Sequence, residues 1–130
     1  MKIMVGLDGS NSSKEALNLA KEHAKTFNAK IELVTSMEKG TEAQQKEIEQ
    51  DEHDLENEKK LLEEDGISCD THLLIRGMNP GEDLVEFAEK NEVDEIVIGV
   101  RRRSKVGKLV FGSTAQYVIL NAHCPVVTVK

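Results

Sequence analysis

EIVIGV, residues 95–100, is an almost wholly apolar stretch in which isoleucine and valine predominate. β-Branched residues favour strands, and a strand without alternating polar positions is covered on both of its faces. We therefore predict that this segment is a central strand of a parallel sheet with helices on either side.

Further apolar runs lie before and after this stretch, and segments of helical period separate them. Such alternation is typical of a parallel sheet covered by helices. We predict one α/β domain, residues 1–130, with a doubly wound five-stranded parallel sheet of order 3-2-1-4-5 and helices on both faces. The predicted strands cover residues 2–7, 30–35, 69–76, 95–100 and 126–129.

Each predicted helix begins at a recognisable N-terminal signal, either a capping-box spacing or an Asn-Pro pair. The first helix is expected to bury Phe27, and the last is expected to bury Ile119. The signals are Ser12 with Glu15, Thr41 with Gln44, Asn79 with Pro80, and Ser113 with Gln116.

Composition excludes several classes of function. The net charge of −7 argues against a nucleic-acid-binding surface. The apolar runs are too short for a signal peptide or for the roughly 20 residues that span a bilayer, so we expect a cytoplasmic protein without a membrane partner. The cysteines and histidines lack the spacing of metal ligands, and we predict no metal site.

Charge is unevenly distributed along the chain. Residues 42–65 contain eleven acidic and three basic side chains, as expected for a solvated helix face. In contrast, residues 101–108 contain five basic side chains, including Arg102 and Arg103. The second segment is therefore suited to contact an anion.

Two loops of the predicted fold carry residues suited to a ligand. Asp8, after the first strand, can accept hydrogen bonds from a ribose or a base. After the fourth strand, Gly99 allows close backbone approach, and residues 112–114 place N–H groups and hydroxyls at a helix N-terminus, which favours phosphate. Both loops flank the crevice where strand order reverses. Taken alone, each feature has a structural explanation: Asp8 could stabilise a turn, Ser113 could be a helix N-cap, and the arginines could belong to a solvated loop.

The order of elements resembles the universal stress protein family over essentially the whole chain. The similarity is carried by LDGS after the first strand, GMNPGEDLVEFA after the third and IGVRRRSKVGKLVFGSTAQYVILNAHCPVVTVK at the end. Nucleotide-binding members share the signature G-x2-G-x9-G-[ST]. Here Gly99, Gly112 and Ser113 match that signature, whereas Arg102 replaces its second glycine.

The resemblance implies a stress-response module that binds ATP, or AMP or ADP, with Mg²⁺ carried by the phosphates. It implies contacts to adenine and ribose by Leu7 and Asp8 and a position beside the base for Ser36. The phosphates would contact the remaining predicted residues, with the arginines as countercharge: Gly99, Arg102, Arg103, Gly112, Ser113 and Thr114.

Two alternatives remain open from the sequence, a slow ATPase and an interaction protein that needs no nucleotide. The chain has no complete P-loop, no GxGxxG after the first strand and no hydrolase triad on strand ends. The predicted edge strand, residues 126–129, carries three valines. Its unpaired backbone N–H and C=O groups would favour aggregation, so we expect a homodimer formed through this strand.

Overall fold

The computed structural model describes residues 1–100 and 112–130. Its five strands form one parallel sheet, and the order β3-β2-β1-β4-β5 confirms the predicted topology. The strands are β1 (Lys2–Gly6), β2 (Lys30–Met37), β3 (Cys69–Ile75), β4 (Glu95–Gly99) and β5 (Val126–Val129).

Helices cover both faces of the sheet, also as predicted. The first pair, α1 (Asn11–Phe27) and α2 (Gln45–Glu64), packs on one face, and α3 (Pro80–Lys90) and α4 (Ser113–Asn121) pack on the other. A short 3₁₀ turn, Glu42–Gln44, precedes α2. Within the described ranges, no helix combines the length and apolarity needed to cross a membrane.

The stretch EIVIGV is buried from both sides. Val97 packs into the core beneath α1 and α2, whereas Ile96 and Ile98 pack into the core beneath α3 and α4. All three side chains are buried because β4 lies between β1 and β5 with a helical layer on each face. This two-sided burial is the reason why the strand lacks alternating polar residues.

The predicted N-cap of the first helix was wrong by two residues. Ser10, not Ser12, is the N-cap of α1, and its hydroxyl accepts a hydrogen bond from Ser13 N at 3.2 Å. Asp8 Oδ1 accepts a hydrogen bond from Ser10 N at 2.9 Å, and this turn places Ser10 where the helix begins. The first turn therefore starts directly after the loop that follows β1.

Two side chains predicted to be buried are exposed. Phe27 is 55% exposed because it is the last residue of α1, where its ring forms a T-shaped contact with the His23 ring. Ile119 is 41% exposed because α4 turns Ala115 and Val118 toward the core instead.

The other N-terminal signals have mixed outcomes. Asn79 Oδ1 accepts from Gly81 N at 3.0 Å with Pro80 at the first helical position, as predicted for α3. The Thr41 and Gln44 capping box is present but opens the 3₁₀ turn. In α4 the N-cap is Gly112 and no side chain caps the helix, so the predicted Ser113 cap was wrong.

Candidate functional site

A cavity of ≈ 480 Å³ opens at the carboxyl edge of the sheet. It lies between the ends of β1 and β4, where the strand order reverses, which is the place where open α/β sheets bind ligands. Its volume is within the range of about 300 to 1,000 Å³ that is typical of small-molecule sites. The lining residues are Gly6, Leu7, Asp8, Ser13, Val34, Ser36, Pro80, Leu84, Ile98, Gly99, Gly112, Ser113, Thr114 and Ala115.

Most of the site residues predicted from the sequence meet at this cavity. Arg102 and Arg103 lie outside the described residues. The others all contribute to the lining: Leu7, Asp8, Ser36, Gly99, Gly112, Ser113 and Thr114. Thus segments far apart in the sequence converge on one space, as the topology of the sheet requires.

The N-terminus of α4 forms one end of the cavity. Gly112 has extended backbone (φ −64°, ψ 155°), and helical geometry begins at Ser113. The first N–H groups of a helix have no partner within the helix, and the N-terminus carries about half a positive charge. No acidic residue lies in the first turn of α4, so no side chain of that turn neutralises the partial positive charge. This end of the cavity is suited to an anion.

Backbone contacts hold the end of β1 in place at the centre of the cavity. Leu7 N donates to Val34 O at 2.8 Å, and Thr35 Oγ1 donates to Leu7 O, also at 2.8 Å. Thr35 is buried, so its hydroxyl is committed to this bond. Asp8 follows at the rim and is exposed. The strand end therefore presents the Asp8 carboxylate from a fixed backbone.

Gly99 is required by the packing of the protein itself. A Cβ atom at this position would lie 2.5 Å from Ser12 O and 2.6 Å from Ser13 N, both in the first turn of α1. Real Cβ atoms essentially never approach backbone so closely, so any larger residue must displace the helix. The sequence interpretation attributed this glycine to ligand approach, and the structure adds a close contact between β4 and α1 that only glycine permits.

A buried carboxylate lies behind Ser36, one of the residues that line the cavity. Asp83, in α3, has no solvent exposure, and its Oδ2 accepts a hydrogen bond from Ser36 Oγ at 2.7 Å. Its Oδ1 accepts from Arg76 Nε at 2.7 Å and also contacts Arg76 Nη2. The sequence analysis missed this cluster. A signal existed, because Asp83 precedes the buried Phe87 by one helical turn and therefore shares its face.

A second cavity of ≈ 190 Å³ lies beside Gly9 and Lys14, against the acidic face of α2. Burial, together with the charges of Glu47 and Asp54, raises the pKa of the Asp51 carboxyl there. In the part of the chain that the structure describes, no three His, Cys, Asp or Glu side chains are grouped to hold a metal ion. The candidate ligand site is therefore the larger cavity.

Comparisons with known proteins agree with this architecture. The model of the universal stress protein family matches residues 1–130. A universal stress protein of Methanocaldococcus jannaschii is 35% identical over 99% of this chain and 81% of its own length.

Two solved structures from Archaeoglobus fulgidus are similar over 100% of this chain and 98% of theirs. One universal stress protein has 35% identity and a TM-score of 0.90. The other, solved in complex with dAMP, has 31% identity and a TM-score of 0.83.

Proposed function

Because this chain belongs to the universal stress protein family, we propose that it binds an adenine nucleotide and thereby acts as a cytoplasmic stress-response regulator. The observation that carries the proposal is the convergence of a helix N-terminus, a carboxylate and an apolar wall on one cavity of ≈ 480 Å³. The related structure in complex with dAMP supports the same class of ligand.

The phosphates are assigned to the α4 end of the cavity. Ser113 and Thr114 offer N–H groups and hydroxyls there, and Gly112 carries no side chain that would fill the space. Arg102 and Arg103 lie three and four residues after the end of β4 and are assigned to supply countercharge, as bidentate guanidinium groups do for phosphate. Mg²⁺ is expected to arrive with the phosphates of ATP, since such ions are usually held by one or two protein groups and the nucleotide itself.

The ribose and the base are assigned to the other lining segments. Val34, Leu84 and Ile98 provide an apolar surface for a flat ring, and Gly99 completes the wall at the end of β4. Leu7 and Asp8 also line the cavity, and we assign the Asp8 carboxylate to accept hydrogen bonds from ribose hydroxyls. Ser36 lines the same cavity, and we assign it a position beside the base.

We also propose that two copies pair through β5. This strand pairs only with β4 among the described residues and is therefore an edge of the sheet. The three valines of β5 are only partly buried: Val126, Val127 and Val129. Antiparallel pairing with a second copy would cover them and would give hydrogen-bond partners to the backbone N–H and C=O groups on the open side of β5. Sedimentation at tens of micromolar should give a dimer, and a monomer would contradict this part of the proposal.

Mass spectrometry of ligand released from freshly purified protein tests the proposed function. Intact ATP is the expected result. ADP or AMP would indicate turnover, which should be slow because we assign no catalytic residue. Protein that carries no nucleotide and does not bind added ATP would contradict the proposal and favour an interaction protein of the same fold.

A further inference from the structure

We propose that the packing of Tyr117 against Gly81 sets the position of the α4 N-terminus and thereby the affinity of the cavity for phosphate groups. Neither residue is among those that line the cavity, so both act as positioning residues. The inference rests on the proposed nucleotide site and concerns its phosphate end.

The backbone of α3 gives no reason for a glycine at position 81. Gly81 lies in the first turn of the helix, directly after Pro80, and its φ is not positive. Its N–H donates to Asn79 Oδ1 at 3.0 Å, which the N–H of any residue except proline could do. Glycine is also a poorer helix former than alanine. A contact outside α3 must therefore explain this glycine.

That contact is with Tyr117, in the second turn of α4. A Cβ atom at position 81 would lie 2.8 Å from Tyr117 Cβ and 3.1 Å from Tyr117 Cγ. Real Cβ atoms essentially never come within 3.0 Å of another heavy atom in this way. Because Tyr117 Cβ is bonded directly to the helix backbone, no change of rotamer can move it aside. The two helices can approach this closely only because residue 81 has no side chain.

Of the two helices, α3 is the more firmly held. Asp83 has no solvent exposure, and its carboxylate accepts hydrogen bonds from Ser36 Oγ and Arg76 Nε, both at 2.7 Å. The residues that α3 buries are Gly81, Asp83, Leu84, Phe87 and Ala88. In contrast, α4 buries two residues, Ala115 and Val118. A side chain at position 81 would therefore displace α4 rather than α3.

A displacement of α4 at Tyr117 would be felt at the cavity. Ser113 precedes Tyr117 by four residues, so the two lie on the same side of the helix. Pro80 and Ser113 line the same cavity from α3 and α4. Moving α4 away from α3 widens this part of the cavity and draws the first N–H groups of α4 away from a bound phosphate. Hydrogen bonds weaken steeply as their distance and angle depart from the optimum.

The N-terminus of α3 is poorly suited to take over the role of α4. Its first turn contains Glu82 and Asp83, which repel a phosphate, and Asn79 caps it. The N-terminus of α4 has neither an acidic residue nor a side-chain cap. The phosphate affinity should therefore depend on where α4 lies.

The test compares ATP with adenosine, which lacks the phosphates. Both are titrated calorimetrically into wild type, which should prefer ATP, and into Gly81→Ala. In the variant the ATP:adenosine affinity ratio should fall about three- to tenfold, the range for one net hydrogen bond, while adenosine affinity stays nearly constant. Alanine is the better helix former, and this gain partly offsets the crowding and helps the variant to fold.

A matched pair of double variants isolates the contact between the helices. Gly81→Ala with Tyr117→Gly removes the opposing Cβ and should restore the ratio toward that of wild type, although a glycine within α4 lowers stability. Gly81→Ala with Tyr117→Ala keeps that Cβ and should leave the ratio low. The second double variant also lacks the crowding of the tyrosine ring, so it replaces Gly81→Ala if the single variant fails to fold.

Three results would overturn the inference and leave the proposed function intact. They are an unchanged ratio in Gly81→Ala, equal ratios in the two double variants, and a parallel loss of ATP and adenosine affinity in Gly81→Ala. A wild-type protein that binds neither ATP nor adenosine would overturn both the inference and the proposed function.

Discussion

At the amino edge of the sheet, charged side chains pair with one another, whereas at the carboxyl edge the polar groups surround a cavity. His23 Nδ1 lies 2.7 Å from Glu95 Oε1, and Lys30 pairs with Asp70 at the starts of β2 and β3. Asp94 Oδ2 accepts from Lys2 N at 2.8 Å. These groups find their partners within the amino edge itself.

The carboxyl edge instead arranges one carboxylate, Asp8, and several hydroxyl side chains around a space of ≈ 480 Å³. Here the chain leaves β1 toward a helix on one face of the sheet and leaves β4 toward a helix on the other face. A crevice therefore remains between the ends of these two strands. Pairing at the amino edge therefore stabilises the fold, while the carboxyl edge holds the proposed ligand site. Substitutions in the charged pairs of the amino edge should therefore leave ligand binding unchanged, whereas substitutions of lining residues should alter it.

The largest expected effect is on stability at the carboxyl edge, from Gly99→Ala. The added Cβ would meet Ser12 O at 2.5 Å and force α1 away from β4. We expect the free energy of unfolding in urea to fall by about 3 kcal/mol, the upper end of the usual range for overpacking. Gly6→Ala is the control, because a Cβ there would meet Leu84 Cδ1 at an ordinary 3.6 Å. Equal stability of the two variants would contradict the close contact.

The second largest effect is expected on ATP binding, from the substitution Arg102→Ala. Arg102 replaces a glycine of the family signature and lies outside the described residues. If its guanidinium contacts phosphate, calorimetry should show ATP binding weakened by about 1.5 to 3 kcal/mol, the range for hydrogen bonds to charged groups. Adenosine, which lacks phosphate, should bind almost unchanged. Tighter ATP binding by Arg102→Gly would show instead that the arginine obstructs the site.

The smallest effect is expected at the amino edge, from Asp70→Asn. A hydrogen bond from Lys30 holds the pKa of the Asp70 carboxyl below its ordinary value. The ionised form therefore stabilises the fold above the ordinary pKa, and this contribution is lost as pH falls through the lowered pKa.

Acid unfolding curves check this prediction. Asp70→Asn should be slightly less stable than wild type at neutral pH, and the difference should vanish at low pH, with ATP affinity unchanged. A stability difference that grows as pH falls would contradict the assignment.

The sequence was sufficient to predict the topology. β4 could be placed in the interior because EIVIGV has no polar face, and the alternating helical segments require parallel crossovers. The cavity followed from the same topology, since Asp8 and residues 112–114 occupy the loops at the strand reversal. Boundaries were less predictable: β2 extends to Met37, because its pairing with β3 continues to Ile75.

Several contacts that depend on tertiary packing were not predicted. Ser10 and Ser12 are both acceptable N-caps by residue type, and only the turn fixed by Asp8 decides between them. Burial of Asp83 was missed because an acid near a helix N-terminus usually faces solvent, and Arg76 lies seven residues earlier. The close approach of Gly99 to α1 is a contact between backbones, which leaves no pattern in the sequence.

Calorimetric titration of ATP into wild type and Gly112→Val tests the central claim most directly. The valine side chain would project from the α4 N-cap, one of the residues that line the cavity. We predict saturable ATP binding by wild type and no detectable binding by the variant, with both proteins unfolding at closely similar urea concentrations. ATP binding of equal affinity in the two proteins would contradict the account and place the site elsewhere.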